Sequence, residues 1–301
     1  MINDRFQITS EMKGRVHVRQ KDFGIDAIIE LNQGGRLVKW VCMNNLVIGD
    51  PASSSYSESF AGALLFPFVN RLEKGTYQFE KKVYHVACND QGKHALHGLI
   101  HDKPFQLKLV IAEEDRGQVD LEYHFDGHDL GFPFPFDIGL SYRFTQYGLS
   151  LKVTVANSGS SIFPFSLGWH PYFFTSDKNL SKLSMPTNQN VITNKELIFF
   201  GMEKTVDLFS STIGDVSYDH GFKIRPASIV FDTPEHRLTI TTSSSHAFVQ
   251  LYAHEHQNYF AIEPMTSPGN SFNNQIGLLK LAPKETFDLN WNVQINQSFK
   301  T

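Results

Sequence analysis

The sequence is poor in cysteine and has no long apolar run at its N-terminus. Its two cysteines, Cys42 and Cys88, lie far apart and form no pair with metal-ligand spacing. Residues 1–16 are polar and carry both signs of charge, so neither a signal peptide nor a membrane anchor is expected. We therefore predict two reduced thiols rather than a disulfide, in a cytoplasmic protein that makes no membrane contact.

The sequence also lacks a strong excess of one charge and a helical repeat. Lysine and arginine total 27 against 31 acidic residues, a net charge of −4, and no basic stripe stands out. This balance argues against nucleic acid as a partner. No long segment keeps apolar residues at i, i+3, i+4 and i+7, so helix is expected only as a short turn within 55–62.

The pattern that is present has a period of two, which is typical of half-buried strands. With 301 residues, 41% of them hydrophobic, the chain can bury a large core. No linker divides it, so we predict one all-β domain over 1–301, a large antiparallel β-sandwich of two or more packed sheets. The predicted strands are 15–20, 26–31, 36–41, 118–125, 138–144, 149–156, 237–242, 247–252 and 286–295.

Segments rich in Pro, Gly and aromatic residues separate the strands, and such connections often carry function. The stretch SLGWHPYFF, 166–174, sets His170 beside Trp169 and Tyr172. Aromatic faces pack on the C–H faces of sugars, while an imidazole handles one hydroxyl or the ring oxygen. The alternative is a core histidine whose hydrogen bonds are satisfied by the backbone.

Two further connections contain polar side chains suited to a sugar site. Asn70 and Arg71 end the run FPFVNRL, and an arginine fork suits a sugar hydroxyl or a phosphate oxygen. His97 precedes Gly98, which permits close approach of the backbone to a ligand. His94 lies three residues before His97, on the opposite face of an extended segment, so no metal site is predicted.

Two carboxylates complete the candidates. Asp219 falls in the sequence YDHG, which predicts a turn, and it could accept hydrogen bonds from sugar hydroxyls. Glu263 follows the apolar run YFAI, where partial desolvation would raise its pKa towards the range of a general base. His254 and His256 are predicted on one face of the strand before it, where they could line the same cleft or lie at the surface.

Taken in order, these motifs resemble the aldose 1-epimerase (galactose mutarotase) family. The resemblance rests on FPFVNRL at 66–72, LHGL at 96–99, LGWHPYF at 167–173, YDHGF at 218–222 and IEPMTSPGN at 262–270. It implies the supersandwich fold of that family, and an isomerase that interconverts the α and β anomers of a free hexose. No metal or redox cofactor is implied, and the oligomeric state stays open between monomer and homodimer.

The resemblance also implies a role for each candidate. Glu263 would be the base that takes the proton of the anomeric hydroxyl, and His170 the acid that protonates the ring oxygen. Substrate binding would fall to Arg71, His97, Asp219, Asn70 and Trp169. The sequence HGL, in place of HGG, departs from the galactose-specific members and leaves the identity of the sugar open.

Three alternatives to a free-hexose epimerase are compatible with the sequence. A hexose 6-phosphate would need basic residues at the rim, for which Arg71, Lys74 and Lys103 are the candidates. A sugar-binding protein that has lost catalysis would need neither an acid nor a base. A glycosidase would use Asp219 and Glu263 as a carboxylate pair, about 5 Å apart in a retaining enzyme and about 6.5–9.5 Å apart in an inverting one.

Overall fold

The protein was analysed as a computed structural model, which describes residues 5–51, 55–225, 228–245 and 247–296. The strands of the first half are β1 Gln7–Glu11, β2 Arg15–Gln20, β3 Ile25–Glu30, β4 Arg36–Cys42, β5 Asn45–Ile48, β6 Leu64–Leu65, β7 Arg71–Leu72, β8 Thr76–Phe79, β9 Lys82–His85, β10 Ala95–Leu96, β11 Gln106–Ala112, β12 Gly117–Phe125, β13 Phe136–Thr145 and β14 Gly148–Asn157.

The second half continues the same all-β pattern. Its strands are β15 Phe163–Phe165, β16 Gly168–Trp169, β17 Tyr172–Phe174, β18 Lys182–Thr193, β19 Phe199–Lys204, β20 Leu208–Thr212, β21 Tyr218–Ile224, β22 Ile229–Asp232, β23 Arg237–Thr242, β24 Ala247–Ala253, β25 Tyr259–Met265, β26 Leu279–Leu281 and β27 Thr286–Asn296. The helices are α1 Tyr56–Ser59, α2 Ser271–Asn274 and the 3₁₀ turns Glu73–Gly75 and Lys178–Leu180.

Most of the strands form two large antiparallel layers, which confirms the predicted sandwich, while β7–β10, β8–β9 and β15–β26 form separate pairs. One layer runs β1–β2–β3–β4–β5–β17–β25–β24–β21–β18–β19. The other runs β11–β12–β13–β14–β27–β23–β22–β18–β20. Strand β18 belongs to both layers, because its first residues pair with β20 and β22 and its later ones with β21 and β19.

Alternating burial explains why these segments become strands. On β13 and β27, buried and more exposed residues alternate almost regularly, so one face packs into the core and the other meets solvent. All nine predicted strands coincide with observed ones, with ends shifted by two residues at most. The predicted helical turn is confirmed as α1.

Strand β25 is an interior strand of the first layer. It pairs with β24 on one side and with β16 and β17 on the other, so its middle residues are enclosed on both edges. The connections 62–72 and 94–105 pack over this region. They touch at Gly98, where the Leu99 N–H donates to the Phe66 carbonyl over 2.7 Å.

We predict that Gly98→Ala destabilises the fold at this contact. Gly98 has φ +78°, and a Cβ there would lie 2.1 Å from the Phe66 carbonyl oxygen. We expect a loss of about 2 kcal/mol or more in the free energy of unfolding, measured in denaturant. Gly92→Ala is the matched control, because Gly92 has φ +74° and its Cβ would meet nothing within 4 Å. An equal effect of the two substitutions would contradict the proposed close approach.

Candidate active site

A cavity opens to solvent beside the middle of β25. Strands β21, β24 and β25 form one side, and the connections that follow α1, β6 and β10 form the other. Its lining combines carboxyl, imidazole, guanidinium, amide and phenol groups, a composition suited to a polar ligand. The lining residues are Glu58, Ser59, Phe60, Asn70, Arg71, Leu96, His97, His170, Tyr172, Asp219, Gln250, Tyr252 and Glu263.

Glu263 lies at the floor of the cavity and is only 2% exposed. It sits on β25 opposite Gln250 of β24. Burial, reinforced by the negative charge of Asp219, raises the pKa of the Glu263 carboxyl well above its ordinary value. Its Oε2 atom is buried and has no hydrogen-bond partner among the residues described. Burial therefore favours the protonated carboxyl, and one of its oxygens is left for a ligand.

His170 faces Glu263 across the cavity floor. Its backbone N–H donates to the Ala63 carbonyl (3.0 Å) and its carbonyl accepts from the Gly62 N–H (2.8 Å), which fixes the position of the residue. The Nε2 atom lies 3.3 Å from Glu263 Oε1. The ring stacks on Tyr172, with centroids 5.2 Å apart. Burial lowers the pKa of His170 to about 4, so the imidazole is neutral at neutral pH.

Burial favours the state in which the two groups together carry one proton. Two buried ionised groups would each lose their hydration, which costs several kcal/mol per ion. A protonated carboxyl beside a neutral imidazole avoids that cost, and it still contains one proton donor and one proton acceptor in contact. Because the groups touch, their titration belongs to the pair rather than to either residue.

His97 extends this polar floor. It has φ +62° rather than the extended conformation predicted for its segment, and its N–H donates to the Asn70 carbonyl over 3.0 Å. Its ring packs edge-on against Phe60 and His170, with centroids 4.8 and 5.2 Å away. Burial, then the nearby His170, lowers the pKa of His97 well below its usual range. Its buried Nδ1 has no described partner.

Arg71 and Asn70 stand at the mouth of the cavity. Arg71 Nε donates to Asp90 Oδ2 over 2.7 Å, so the guanidinium is oriented and its charge is balanced. Asn70 has φ +50°, and its Oδ1 accepts from the Arg71 N–H over 2.7 Å. This local turn directs both side chains towards the cavity.

Asp219 also lines the cavity, but the predicted turn around it is wrong. It lies in β21, which pairs continuously with β24 from Tyr218 to Ile224, so cross-strand bonds replace the local turn. Gln250 Nε2 donates to Asp219 Oδ1 over 2.6 Å. Although the residue is exposed at the mouth, desolvation by surrounding atoms raises the pKa of its carboxyl, and Arg71 opposes that shift.

Trp169 does not line the cavity, contrary to the expectation that it binds substrate. It is 1% exposed and stacks on Trp291 with ring centroids 6.2 Å apart. Neighbouring residues of an extended chain point to opposite faces. Because His170 faces the cavity, Trp169 turns into the core between the layers.

Several lining residues were not singled out in the sequence. Gln250 and Tyr252 alternate on β24 and point to the same face, so the period of the predicted strand 247–252 contained that signal. Ser59 and Phe60 reach the cavity from the end of α1, where no sequence pattern marks them. His254 and His256 lie beyond the end of β24, not on it, and both are exposed.

The remaining histidines and cysteines form no metal centre in the part of the chain that is described. His94 Nδ1 accepts from the Lys74 N–H over 3.0 Å, a structural role away from the cavity. Cys42 and Cys88 are both free thiols. Among the described residues, no helix has the length and apolar character needed to cross a bilayer.

Fold and cavity together define a class: large antiparallel β-sandwich proteins with a buried carboxyl–imidazole pair. The aldose 1-epimerase family profile matches residues 25–294, which is most of the sequence. The chain belongs to the aldose 1-epimerase family, and the resemblance found in the motifs is confirmed.

Individual relatives agree with this assignment. The uncharacterized Escherichia coli protein YihR is 26% identical over 245 residues, covering 77% of this chain and 78% of that protein. A galactose mutarotase-like protein from Clostridium acetobutylicum has a similar structure, with TM-score 0.86, 18% identity and coverage of 97% and 99% of the two chains. The galactose 1-epimerase of Lactobacillus acidophilus superimposes with TM-score 0.80 at 16% identity, covering 97% and 98%. At such identities the two structures show a common fold.

The raised pKa of Glu263 predicts how stability depends on pH. A carboxyl whose pKa is raised on folding stabilises the protein below its unfolded pKa, and this contribution is lost as pH rises towards the folded pKa. Glu263→Gln replaces the ionisable carboxyl with an amide, so this loss of stability with rising pH is absent in the variant. We therefore expect the free energy of unfolding of the variant, relative to wild type, to increase as pH rises from about 5 to about 8, by at most about 1.4 kcal/mol per pH unit.

Urea unfolding at a series of pH values measures this difference. The exposed Glu114→Gln is the control and should follow the wild-type curve. If Glu263→Gln also ran parallel to wild type at every pH, the carboxyl would have an ordinary pKa in the folded protein, and the protonated state would be contradicted.

Proposed function

We propose that this protein is an aldose 1-epimerase that interconverts the α and β anomers of a free hexose. The observation that supports it most directly is the contact of Glu263 Oε1 with His170 Nε2 at 3.3 Å, buried at the floor of a polar cavity. A ligand-binding site needs hydrogen-bonding groups, but it has no use for an acid and a base whose proton affinities are shifted into each other's range.

The proposed reaction opens and closes the sugar ring with these two groups. Glu263 takes the proton of the C1 hydroxyl, the C1–O5 bond breaks as the C1 carbonyl forms, and His170 gives its proton to O5. After rotation about the C1–C2 bond, the steps run in reverse on the other face of the carbonyl. Proton transfers at both oxygens avoid full charge on either, and each positioned group contributes about 10²–10⁴-fold.

One proton on the pair serves both halves of this cycle. The ring-opening step begins with an ionised Glu263 and a protonated His170, and it ends with a protonated carboxyl and a neutral imidazole. Hydrogen bonds from sugar hydroxyls to the carboxylate favour the first state. Burial favours the second state, the protonated carboxyl beside a neutral imidazole, when no sugar hydroxyl donates a hydrogen bond to the carboxylate. The pair thus keeps a net charge of zero throughout.

Arg71, His97, Asp219 and Asn70 are proposed to bind and orient the sugar. Among the described residues that line the cavity, Arg71 is the one basic Lys or Arg side chain. Its charge is already balanced by Asp90. Lys103 pairs with Asp102 at 3.0 Å, and Lys74 is outside the lining. With the carboxylates of Glu58 and Asp219 also in the cavity wall, a neutral sugar fits better than a hexose 6-phosphate.

The proposal predicts loss of mutarotation in two variants. Polarimetry on freshly dissolved α-D-glucose and α-D-galactose measures the approach to anomeric equilibrium. We expect wild type to accelerate it for at least one sugar. Glu263→Gln removes the base and His170→Asn the acid, so each should slow the reaction by about 10²–10⁴-fold.

Exposed residues supply matched controls. Glu114→Gln and His124→Asn make the same chemical changes outside the cavity and should keep the wild-type rate. A wild-type rate in Glu263→Gln would refute its role as base. The absence of acceleration by wild type on either sugar would count against a glucose or galactose epimerase.

A further inference from the structure

The segment that holds His170 and the strand that holds Glu263 follow one antiparallel register. Their backbone pairs are Gly168–Met265, Tyr172–Ala261, Phe173–Phe260 and Phe174–Tyr259. Continued through the residues between these pairs, the register sets His170 directly opposite Glu263. Side chains of directly opposite residues lie on the same face of a sheet, which accounts for the contact at 3.3 Å.

Prolines interrupt the ladder of backbone hydrogen bonds next to this pair. Pro171 follows His170 on one segment, and Pro264 follows Glu263 on the other. A proline has no N–H, so each removes one possible hydrogen bond between the two segments. The backbone of His170 bonds away from β25, to Gly62 and Ala63. The register of the two reacting groups therefore depends on the pairs at the two ends of this stretch.

One end of the stretch is held by ordinary strand pairing. Residues Tyr172–Phe174 form β17, and all three pair with β25. Phe173 also pairs with Ile48 of β5 on its other side. This end therefore has backbone partners on both edges and needs no help from side chains.

At the other end, the hydroxyl of Thr266 takes the place of a backbone acceptor. The Thr266 N–H donates to the Leu167 carbonyl over 2.9 Å, as the register requires for the next pair. The reciprocal bond runs from the Leu167 N–H to Thr266 Oγ1 over 3.0 Å. A regular antiparallel pair would use the Thr266 carbonyl there, but β25 ends at Met265. The side chain thus closes the pair where the strand stops.

This hydrogen bond is shielded from water and lies close to both reacting groups. Leu167 and Thr266 are both buried, so the Leu167 N–H has no solvent to replace a lost acceptor. Leu167 lies three residues before His170, and Thr266 lies three residues after Glu263. Thr266 is not part of the cavity lining, so it can act on a bound sugar only through the position of other groups.

Proton transfer is sensitive to the register that this bond closes. A general acid or base must lie within about 2.6–3.2 Å of the atom with which it exchanges a proton, and a displacement of about 1 Å can cost about 10²-fold in rate. A shift of the segment before His170 relative to β25 would change its distance from Glu263 without altering either side chain.

We propose that Thr266 is a positioning residue, whose hydroxyl closes the register that sets His170 opposite Glu263. It neither contacts the sugar nor transfers a proton. The inference rests on the proposed function, because it names a residue on which the rate of that reaction depends. The position of the His170 ring relative to Glu263 can nevertheless be measured in the free protein, without any turnover.

Thr266→Val tests this role by mutarotation kinetics, because valine keeps the branched shape and removes the acceptor. The substrate is whichever of glucose and galactose wild type converts faster. We expect kcat to fall about tenfold or more, while KM changes less than about twofold because the cavity lining is unchanged. Thr266→Ser restores the hydroxyl, so its kcat should lie within about threefold of wild type.

Thr187→Val is the matched control. Thr187 is also buried, and its Oγ1 donates to the Lys223 carbonyl over 2.7 Å, but it lies on β18 and outside the cavity lining. It should lower the resistance to urea unfolding and leave kcat unchanged. Equal losses of kcat in Thr187→Val and Thr266→Val would overturn the positioning role. A wild-type kcat in Thr266→Val, or a kcat in Thr266→Ser as low as that in Thr266→Val, would also overturn it.

NMR of the free protein separates this inference from the proposed function. The ¹⁵N shifts of the His170 ring report the hydrogen bonding of its two nitrogens. They should move in Thr266→Val, return in Thr266→Ser and stay unchanged in Thr187→Val. Unmoved shifts in Thr266→Val would overturn the positioning role whether or not a sugar is converted. Moved shifts with no conversion by wild type would refute the proposed function and leave the geometric role of Thr266 supported.

Thr266→Ala provides the same comparisons if Thr266→Val does not fold. It removes the same acceptor and leaves a smaller side chain, so no added atom can clash in the core. A kcat and His170 shifts equal to those of wild type in Thr266→Ala would overturn the positioning role.

Discussion

The contact between Glu263 and His170 is the constraint on which the rest of the site depends. Burial makes ionisation of either group expensive, and their proximity allows a single proton to serve both. The cavity must therefore be dry enough to shift both proton affinities and open enough to admit a sugar. The remaining polar residues, Arg71 and Asp219 among them, stand nearer the mouth.

The fold meets this requirement by placing Glu263 in the middle of β25, enclosed by β24 on one edge and by β16 and β17 on the other. His170 follows β16 directly, and backbone bonds to Gly62 and Ala63, in the connection before β6, fix its position. An interior strand of a large sheet moves little, so the distance between the two reacting groups is maintained. The connections around them supply Asn70 and His97, the groups proposed to bind the substrate. Functional groups on loops around a rigid sheet are a common arrangement.

Much of the scaffold could be predicted from the sequence, and the failures have physical causes. Regular alternation located nine strands but missed others; β18, for example, escaped because Pro186 and a polar run hide its period. The wrong expectation for Trp169 is explained by the alternation of side chains along an extended chain. Its neighbour His170 faces the cavity, so the indole points into the core. Asp219 was misplaced in a turn because pairing with β24 is non-local and leaves no mark in the residues around it. The distance between His170 and Glu263 is likewise a product of sheet topology, while their residue types and motifs were enough to single them out.

The most direct measurement is NMR of the free protein at about pH 7, with ¹³C-labelled glutamate side chains and ¹⁵N-labelled histidine rings assigned through Glu263→Gln and His170→Asn. We expect the carbon shift of a protonated carboxyl at Glu263 together with the nitrogen shifts of a neutral imidazole at His170. An ionised carboxylate beside a neutral imidazole would mean that the pair holds no proton, and would contradict the shared proton on which the proposed acid and base depend.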